Sequence, residues 1–118
     1  MPKVAIPIFQ NRVSPVFDSC IHMLVVDINQ SSEIKRENVF LGDMSLTERC
    51  SILKKLGVAV VICGGISEAL AKMLKSFNTR LINGIAGDVD QVLLAFMNDH
   101  LDNPEFYMPG FKTHDKRL

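Results

Sequence analysis

Apolar and polar residues follow two different rhythms along this chain, and the change of rhythm divides it into two halves. Lys3 to Phe9 (KVAIPIF) is nearly all apolar and predicts a first strand. Gln10-Asn11-Arg12 and Ser14-Pro15 then interrupt it with turn-forming residues. Ile21 to Ile28 is a second apolar run, rich in β-branched residues, and Asn29 to Ser32 is a polar turn. Glu33 to Leu41 is a mixed and more exposed strand. Three strands joined by short turns predict an antiparallel meander.

After Leu41 the spacing becomes helical. Ser45 and Glu48 form a capping box ahead of Leu46, Cys50 and Leu53, and Gly57 closes that helix. Val58 to Cys63 is a continuous apolar run of the kind that sits inside a parallel sheet. Gly64-Gly65 is expected to turn directly into a second helix, with Leu70, Met73, Leu74 and Phe77 on one face. Arg80-Leu81-Ile82 is a short fifth strand. Asp88 caps a third helix whose buried stripe is Val89, Val92, Leu93, Phe96 and Met97. From Asp102 onward the chain reads as polar and irregular.

The order β-β-β-α-β-α-β-α, with right-handed β-α-β connections, predicts an α/β fold with helices on both faces of a five-stranded mixed sheet. Its strand order is 3-2-1-4-5 with only the second strand antiparallel, which is the ribonuclease-H-like arrangement. Residues 1–110 are read as a single domain and 111–118 as a polar, basic tail.

Composition narrows the class. The chain has 118 residues, of which 47% are apolar and 22% charged, enough for a core of its own. Thirteen basic and thirteen acidic residues cancel, so neither bulk nucleic-acid binding nor an acidic membrane surface is expected. Met1 to Pro7 is too short and Pro-rich for a signal peptide, and no apolar run reaches the length of a membrane span. Cys20, Cys50 and Cys63 form no paired motif, which argues for a reducing compartment and a cytoplasmic protein.

In open α/β sheets ligands sit where the strand order reverses, here between the first and fourth strands. Three loops are expected to converge there: Gln10 to Phe17, Cys63 to Ile66, and Asn83 to Gly87. Two of them feed helix N-termini, whose N–H groups suit anions, and Gly64, Gly65, Gly84 and Gly87 leave the backbone bare. Arg12 could face the same anion. The plainer alternative is that the glycines only make turns and that Arg12 is a solvated charge. Cys63, at the end of a buried strand, is either a core thiol or a ligand. Cys50 belongs to the core stripe. Cys20 and His22, two apart on a strand, would share a face and could offer two soft ligands, or their spacing is coincidence. KVAIPIF and VAVVIC carry no internal carboxylate, so the two-metal chemistry of a ribonuclease-H-like nuclease is excluded.

Several segments together resemble one family. VAIPIFQNRVSPVFDSC is similar to its opening strand and loop, VVICGGIS to its central strand and glycine loop, and GDVDQVLLAF to the start of its last helix. Phe106 to Gly110 (FYMPG) is similar to the C-terminal F-x-M-P-G of one branch. The chain thus resembles the dinitrogenase iron–molybdenum cofactor biosynthesis family, which includes NifX-like carriers, the C-terminal domain of NifB and the molybdenum–copper orange protein. That resemblance implies a ribonuclease-H-like fold and non-catalytic binding of a metal–sulfur cluster or its precursor, of Fe–S, Fe–Mo–S or Mo–Cu–S type. It implies cluster-assembly or cluster-accepting proteins as partners and a monomer or weak dimer. The binding residues would be Asn11, Arg12, Ser14, Phe17, Cys63, Gly64, Gly65, Ile66, Gly84 and Gly87, with Cys20, His22 and Cys63 as metal ligands. Relatives with M-P-G commonly continue with cysteine, whereas Phe111 stands here. A small-anion or nucleotide-binding regulatory module is the alternative function.

Overall fold

The computed structural model describes residues 2–30 and 32–110, so Phe111 and the 111–118 tail lie outside the described residues. Strands β1 (Lys3–Phe9), β2 (Arg12–Val13), β3 (His22–Asn29), β4 (Ser32–Phe40), β5 (Val58–Ile62) and β6 (Arg80–Ile82) form one sheet. The helices are α1 (Leu46–Leu56), α2 (Glu68–Ser76) and α3 (Val89–Met97). Five strands run in the order β4-β3-β1-β5-β6, the expected 3-2-1-4-5 order. Of these five only β3 runs against the rest, since β1–β3 and β3–β4 pair antiparallel while β1–β5 and β5–β6 pair parallel.

The sheet has six strands among the described residues, not five. The sixth is β2, which lies within the stretch read as a turn and pairs antiparallel with the end of β1 (Ile8↔Val13, Phe9↔Arg12). Two residues are too few to show a period, so no pattern announces such a strand. Its position matters. Ile8 also pairs with His22 of β3, so β2 must occupy the other edge of β1. That is the edge where β5 pairs with Lys3 to Ala5, and β2 therefore continues it past the end of β5.

Alternation along β1 sends side chains to two cores. Val4 and Ile6 pack with Val60, Ile62, Val89, Val92 and Leu93 beneath α3. Ala5 packs with Val25, Val61, Cys50, Leu53, Leu70 and Leu74 beneath α1 and α2. Each fully buried aliphatic side chain contributes about 1.5–3 kcal/mol.

The caps follow the sequence closely. The Ser45 hydroxyl accepts from Glu48 N at 3.2 Å and the Glu48 carboxylate accepts from Ser45 N at 2.8 Å. Gly57 sits at φ 75°, left-handed, where glycine carries no Cβ penalty. The second helix departs from expectation. It starts at Glu68 with Ser67 as its cap, so Gly64-Gly65 is separated from it by a short extended link. Phe77 ends α2 as a 40% exposed residue beneath the Lys54 ammonium instead of joining the core. Past α3 the irregular stretch forms a 3-10 turn over Pro104–Phe106 and then straps onto the Asn83 to Gly87 loop. Ala86 N donates to Phe106 O at 2.7 Å and Met108 N to Gly84 O at 2.8 Å.

Candidate functional site

The three expected loops do converge, and main-chain hydrogen bonds join them directly. Phe17 N donates to Gly65 O at 2.9 Å and Gly65 N to Pro15 O at 2.6 Å. Gly84 N donates to Gly64 O at 2.9 Å, and Ile85 N to Cys63 O at 3.0 Å. Val13 N donates to Gly87 O at 3.0 Å and Val89 N to Asn11 O at 2.8 Å. Gly64 is what allows this approach: a Cβ there would stand 2.8 Å from Ser14 O and 2.9 Å from Pro15 O.

These contacts change the chemistry expected of the loops. The N–H groups of Gly65, Gly84 and Ile85 are directed at neighbouring carbonyls rather than outward. The helix N-termini are answered from within the chain as well. Ser67 N donates to the Asp18 carboxylate at 2.8 Å, and the Ser67 hydroxyl accepts from Leu70 N. The Asp88 carboxylate accepts from Asp90 N and Gln91 N. The switch-point gap, expected to be an open anion cradle, is filled by β2 and closed by loop-to-loop bonds.

An open space lies on the other side of the first loop. A cavity of about 690 Å³ sits between the β1–β2 hairpin and the start of β3. Ile8, Phe9, Pro15 and Ile21 give it apolar walls, and Ser14, Cys20 and His22 give it polar or soft atoms. Gln10 at its mouth is left-handed (φ 58°), a conformation that costs a non-glycine residue about 1 kcal/mol.

Cys20 and His22 reach this cavity by a route other than the one expected. Cys20 precedes β3, so strand alternation does not place it on the same face as His22. Its side chain belongs to the α1/α2 core at 6% exposure. His22 is exposed, with Nδ1 3.2 Å from Asn38 Oδ1 and its ring edge-on to Phe40. Phe17 and Cys63 are wholly buried, so they shape the region from behind. Ser14 is buried and donates its hydroxyl to Val16 O. Asn11 and Arg12 are exposed, Ile66 is half-buried, and among the described residues the Arg12 guanidinium makes no ion pair. Cys20, His22 and Cys63 are not gathered around one point: among the described residues no group of three or more His, Cys, Asp or Glu side chains is placed to hold a metal ion. The reason is that Cys63 faces the core while His22 faces solvent.

Burial sets the thiols' acidity. It pushes Cys63 up to about 12, with the Asp18 charge adding to the effect. It pushes Cys20 up to about 11, opposed by the Arg49 charge. Cys50 is raised by burial as well. Folding thus favours the protonated thiols. The unfolded chain loses these protons from about the ordinary value of 9.0 upward, while the folded chain keeps them until about 11–12. Stability is therefore fully present below pH 9 and falls as pH rises towards 12. Urea midpoints between pH 8 and 11 should decline, and less steeply in Cys63→Ala. An equal slope in that variant would contradict the assignment.

Cys50 is 2% exposed on the buried stripe of α1. Cys50→Ala should cost about 1 kcal/mol and leave ligand uptake at the cavity unchanged. Equilibrium unfolding beside a binding assay checks both halves of that statement.

Arg49 escaped the sequence reading. It is 3% exposed and its guanidinium spans two turns. Nη1 donates to Cys20 O at 2.7 Å and to Phe17 O at 3.4 Å, Nη2 to Gly42 O at 3.2 Å, and Nε to Met44 O at 2.9 Å. One signal pointed to it: an arginine on the same apolar stripe as Leu46, Cys50 and Leu53.

Comparisons with known proteins agree on this architecture. Residues 2–99 match the family model described as dinitrogenase iron-molybdenum cofactor. An uncharacterized protein of Methanocaldococcus jannaschii is 27% identical over 109 residues, covering 87% of this chain and 92% of that protein. The crystal structure of PH0822 is similar with a TM-score of 0.78 at 23% identity, over 82% of this chain and 89% of the other. The apo form of the orange protein from Desulfovibrio gigas gives 0.72 at 19% identity, over 85% and 90%. At these identities the two structures speak for the fold.

Proposed function

Because this chain belongs to the dinitrogenase iron–molybdenum cofactor family, we propose that it is a non-catalytic carrier or scaffold for an anionic metal–sulfur cluster or its precursor. The observation that carries this reading is the cavity whose apolar walls are joined by Cys20 and His22 and whose lining includes Gln10 and Ser14, from the loop that also carries the exposed Arg12. A thiometallate cluster is a polyanion with soft, poorly hydrated sulfurs. Apolar walls suit its sulfide faces, guanidinium suits its charge, and one thiol or imidazole suits an exposed metal. In this reading Ser14 borders the cluster, and the exposed Asn11 and Arg12 act on it from the adjoining edge of the same loop. Phe17, Cys63, Gly64, Gly65, Ile66, Gly84 and Gly87 hold the loops in place behind it. Holding is mainly electrostatic, the cargo is of Fe–S, Fe–Mo–S or Mo–Cu–S type, and donors or acceptors are cluster-assembly proteins. The protein works as a single ribonuclease-H-like domain, a monomer or weak dimer in the cytoplasm. The strand order with β3 alone reversed among its five strands supports that fold assignment. Among the described residues no helix is long and apolar enough to cross a membrane.

A nucleotide or phosphate module is less well supported, because the carboxylates of Asp18 and Asp88 stand at the helix N-termini such a ligand would use.

Uptake of colour tests the carrier reading. The full chain, mixed anaerobically with tetrathiomolybdate and copper or iron, should retain visible absorbance after desalting. Arg12→Ala should retain less and lose it at lower salt, because less charge stays fixed against the polyanion. Cys20→Ser should reduce retention by a smaller step. If the parent never retains a chromophore but is thermally stabilised by phosphate or nucleotides, the carrier reading gives way to the anion module.

A further inference from the structure

β4 ends the sheet, with β3 on one side and, among the described residues, no strand on the other. Its two halves differ. Between Lys35 and Glu33 the register against β3 steps past residue 34, which makes a bulge, and charged residues surround it. Bulges and charges are the usual guards of a free edge. From Arg36 to Phe40 the pairing with β3 is regular, with no bulge and no proline. Leu41 N donates to Ile21 O at 2.6 Å, which fixes the alternation of the ladder. The main-chain groups of Glu37 and Val39 therefore turn towards β3, and those of Arg36, Asn38 and Phe40 turn away from it. Arg36, Asn38 and Phe40 also share one face of the strand. Phe40, 66% exposed, is the most exposed large apolar side chain among the described residues. Glu33 accepts from Arg36 Nε at 2.7 Å and Nη2 at 2.8 Å, and Asp90 stands 2.8 Å from Nη1. These bonds hold the guanidinium in place and leave its flat faces for stacking.

We propose that the Arg36 to Phe40 half of β4 is a self-association surface, on which a second copy of the chain pairs antiparallel about a two-fold axis at Asn38. The two sheets become one. Charge complementarity selects both the occupant and the register. With the axis at Asn38, each Arg36 lies opposite the partner's Phe40, guanidinium against ring, and a large apolar side chain leaves water. Asn38 faces the partner's Asn38, Glu37 faces the partner's Val39, and no charge stands directly opposite its like. An axis at Glu37 would oppose two carboxylates, and an axis at Arg36 would oppose two guanidinium groups and run the bulge into the pairing. Only the axis at Asn38 gives the outward main-chain groups of Arg36, Asn38 and Phe40 partners within the regular stretch. The paired stretch is short beside a standard interface, so the dimer is weak and concentration-dependent. It stands apart from the carrier reading, since none of Arg36 to Phe40 lines the cavity.

Sedimentation equilibrium of the full chain, from about 10 μM to about 1 mM, is the measurement. The average mass of the parent should climb from one chain towards two. Phe40→Ser should weaken association about tenfold. Asn38→Asp, which opposes two carboxylates at the axis, should weaken it as well, and added salt should restore part of the loss. Leu94→Ser removes another exposed apolar side chain, from α3, and should change nothing. Cross-linking reads the register. With copper–phenanthroline as oxidant, Asn38→Cys should give a disulfide-linked dimer, whereas Glu37→Cys stays largely a single chain because its Cα atoms lie too far apart. All these positions are exposed, so the variants should fold as the parent does by circular dichroism. A parent that stays a single chain throughout overturns the proposal. So does parent-like association in Phe40→Ser, loss of association in Leu94→Ser, or stronger cross-linking in Glu37→Cys than in Asn38→Cys.

Discussion

Gly64→Ala is expected to lower stability by about 3 kcal/mol, or roughly 10–20 °C in Tm. The added Cβ would meet Ser14 O at 2.8 Å, Pro15 O at 2.9 Å and Ile85 O at 3.3 Å. All three are main-chain atoms, so none can swing aside as a side chain would. Relief requires moving the Ser14-Pro15 and Ile85 segments away from Gly64. That movement strains the bonds from Gly65 N to Pro15 O and from Gly84 N to Gly64 O. Ser14 and Pro15 also line the cavity, so ligand retention should fall even where the variant still folds. Gly57→Ala is the useful contrast. There nothing lies within 4 Å of an added Cβ and only the left-handed φ of 75° opposes it, so the loss should be about 1 kcal/mol. Thermal melts of the two variants side by side would decide the matter. Equal losses would mean that space around Gly64 is not what limits it.

Arg49→Met should cost about 1–3 kcal/mol. The substitution relieves the desolvation of a buried charge, which by itself is favourable. It also strips the bond from the buried Cys20 O, while Phe17 O keeps the one from Cys20 N and the half-buried Gly42 and Met44 carbonyls can turn to water. The unsatisfied Cys20 carbonyl and the lost tie between the two turns outweigh the relief. Arg49→Lys should lie between parent and Arg49→Met, since one ammonium can satisfy part of the set. Urea unfolding gives the ranking. An Arg49→Met chain as stable as the parent would show that the fork is dispensable to the fold.

Those two sites divide what the sequence could and could not reveal. Ser45, Glu48, Gly57 and Asp88 were legible because capping is local: each acts within three or four residues of itself. The strand order was legible because helical and strand rhythms fix the element series, and connection handedness does the rest. Gly64 was legible as a loop glycine, but the carbonyls that crowd it belong to Ser14, Pro15 and Ile85, in two other loops. β2 left no rhythm in the sequence, although it decides that the switch point is filled and that the cavity opens beside β3. Ser67 is hidden as a cap by the glycine pair ahead of it, which itself resembles a helix start. Alternation holds only inside a strand, and Cys20 lies outside one, so spacing alone does not relate it to His22. Arg49 stood in plain view on an apolar stripe, but its acceptors lie up to 32 residues away in the chain.

The central place of β1 also sets a timetable. It pairs on one side with β3, whose Leu24 meets Ile6, and on the other with β5, whose Val60 meets Val4. During synthesis the β1–β3–β4 meander can close early, because its partners are near in sequence. The second edge of β1 must wait for Val58–Ile62, more than fifty residues later. At ribosomal rates of about 5–20 residues per second, that is roughly 3–10 seconds with Lys3, Val4 and Ala5 unpaired along one side. Pro7, further along the strand, brings no N–H to the open edge. The hairpin from Phe9 to Arg12 covers the rest almost as soon as it is made. β2 thus shortens the stretch of nascent strand open to a neighbouring chain.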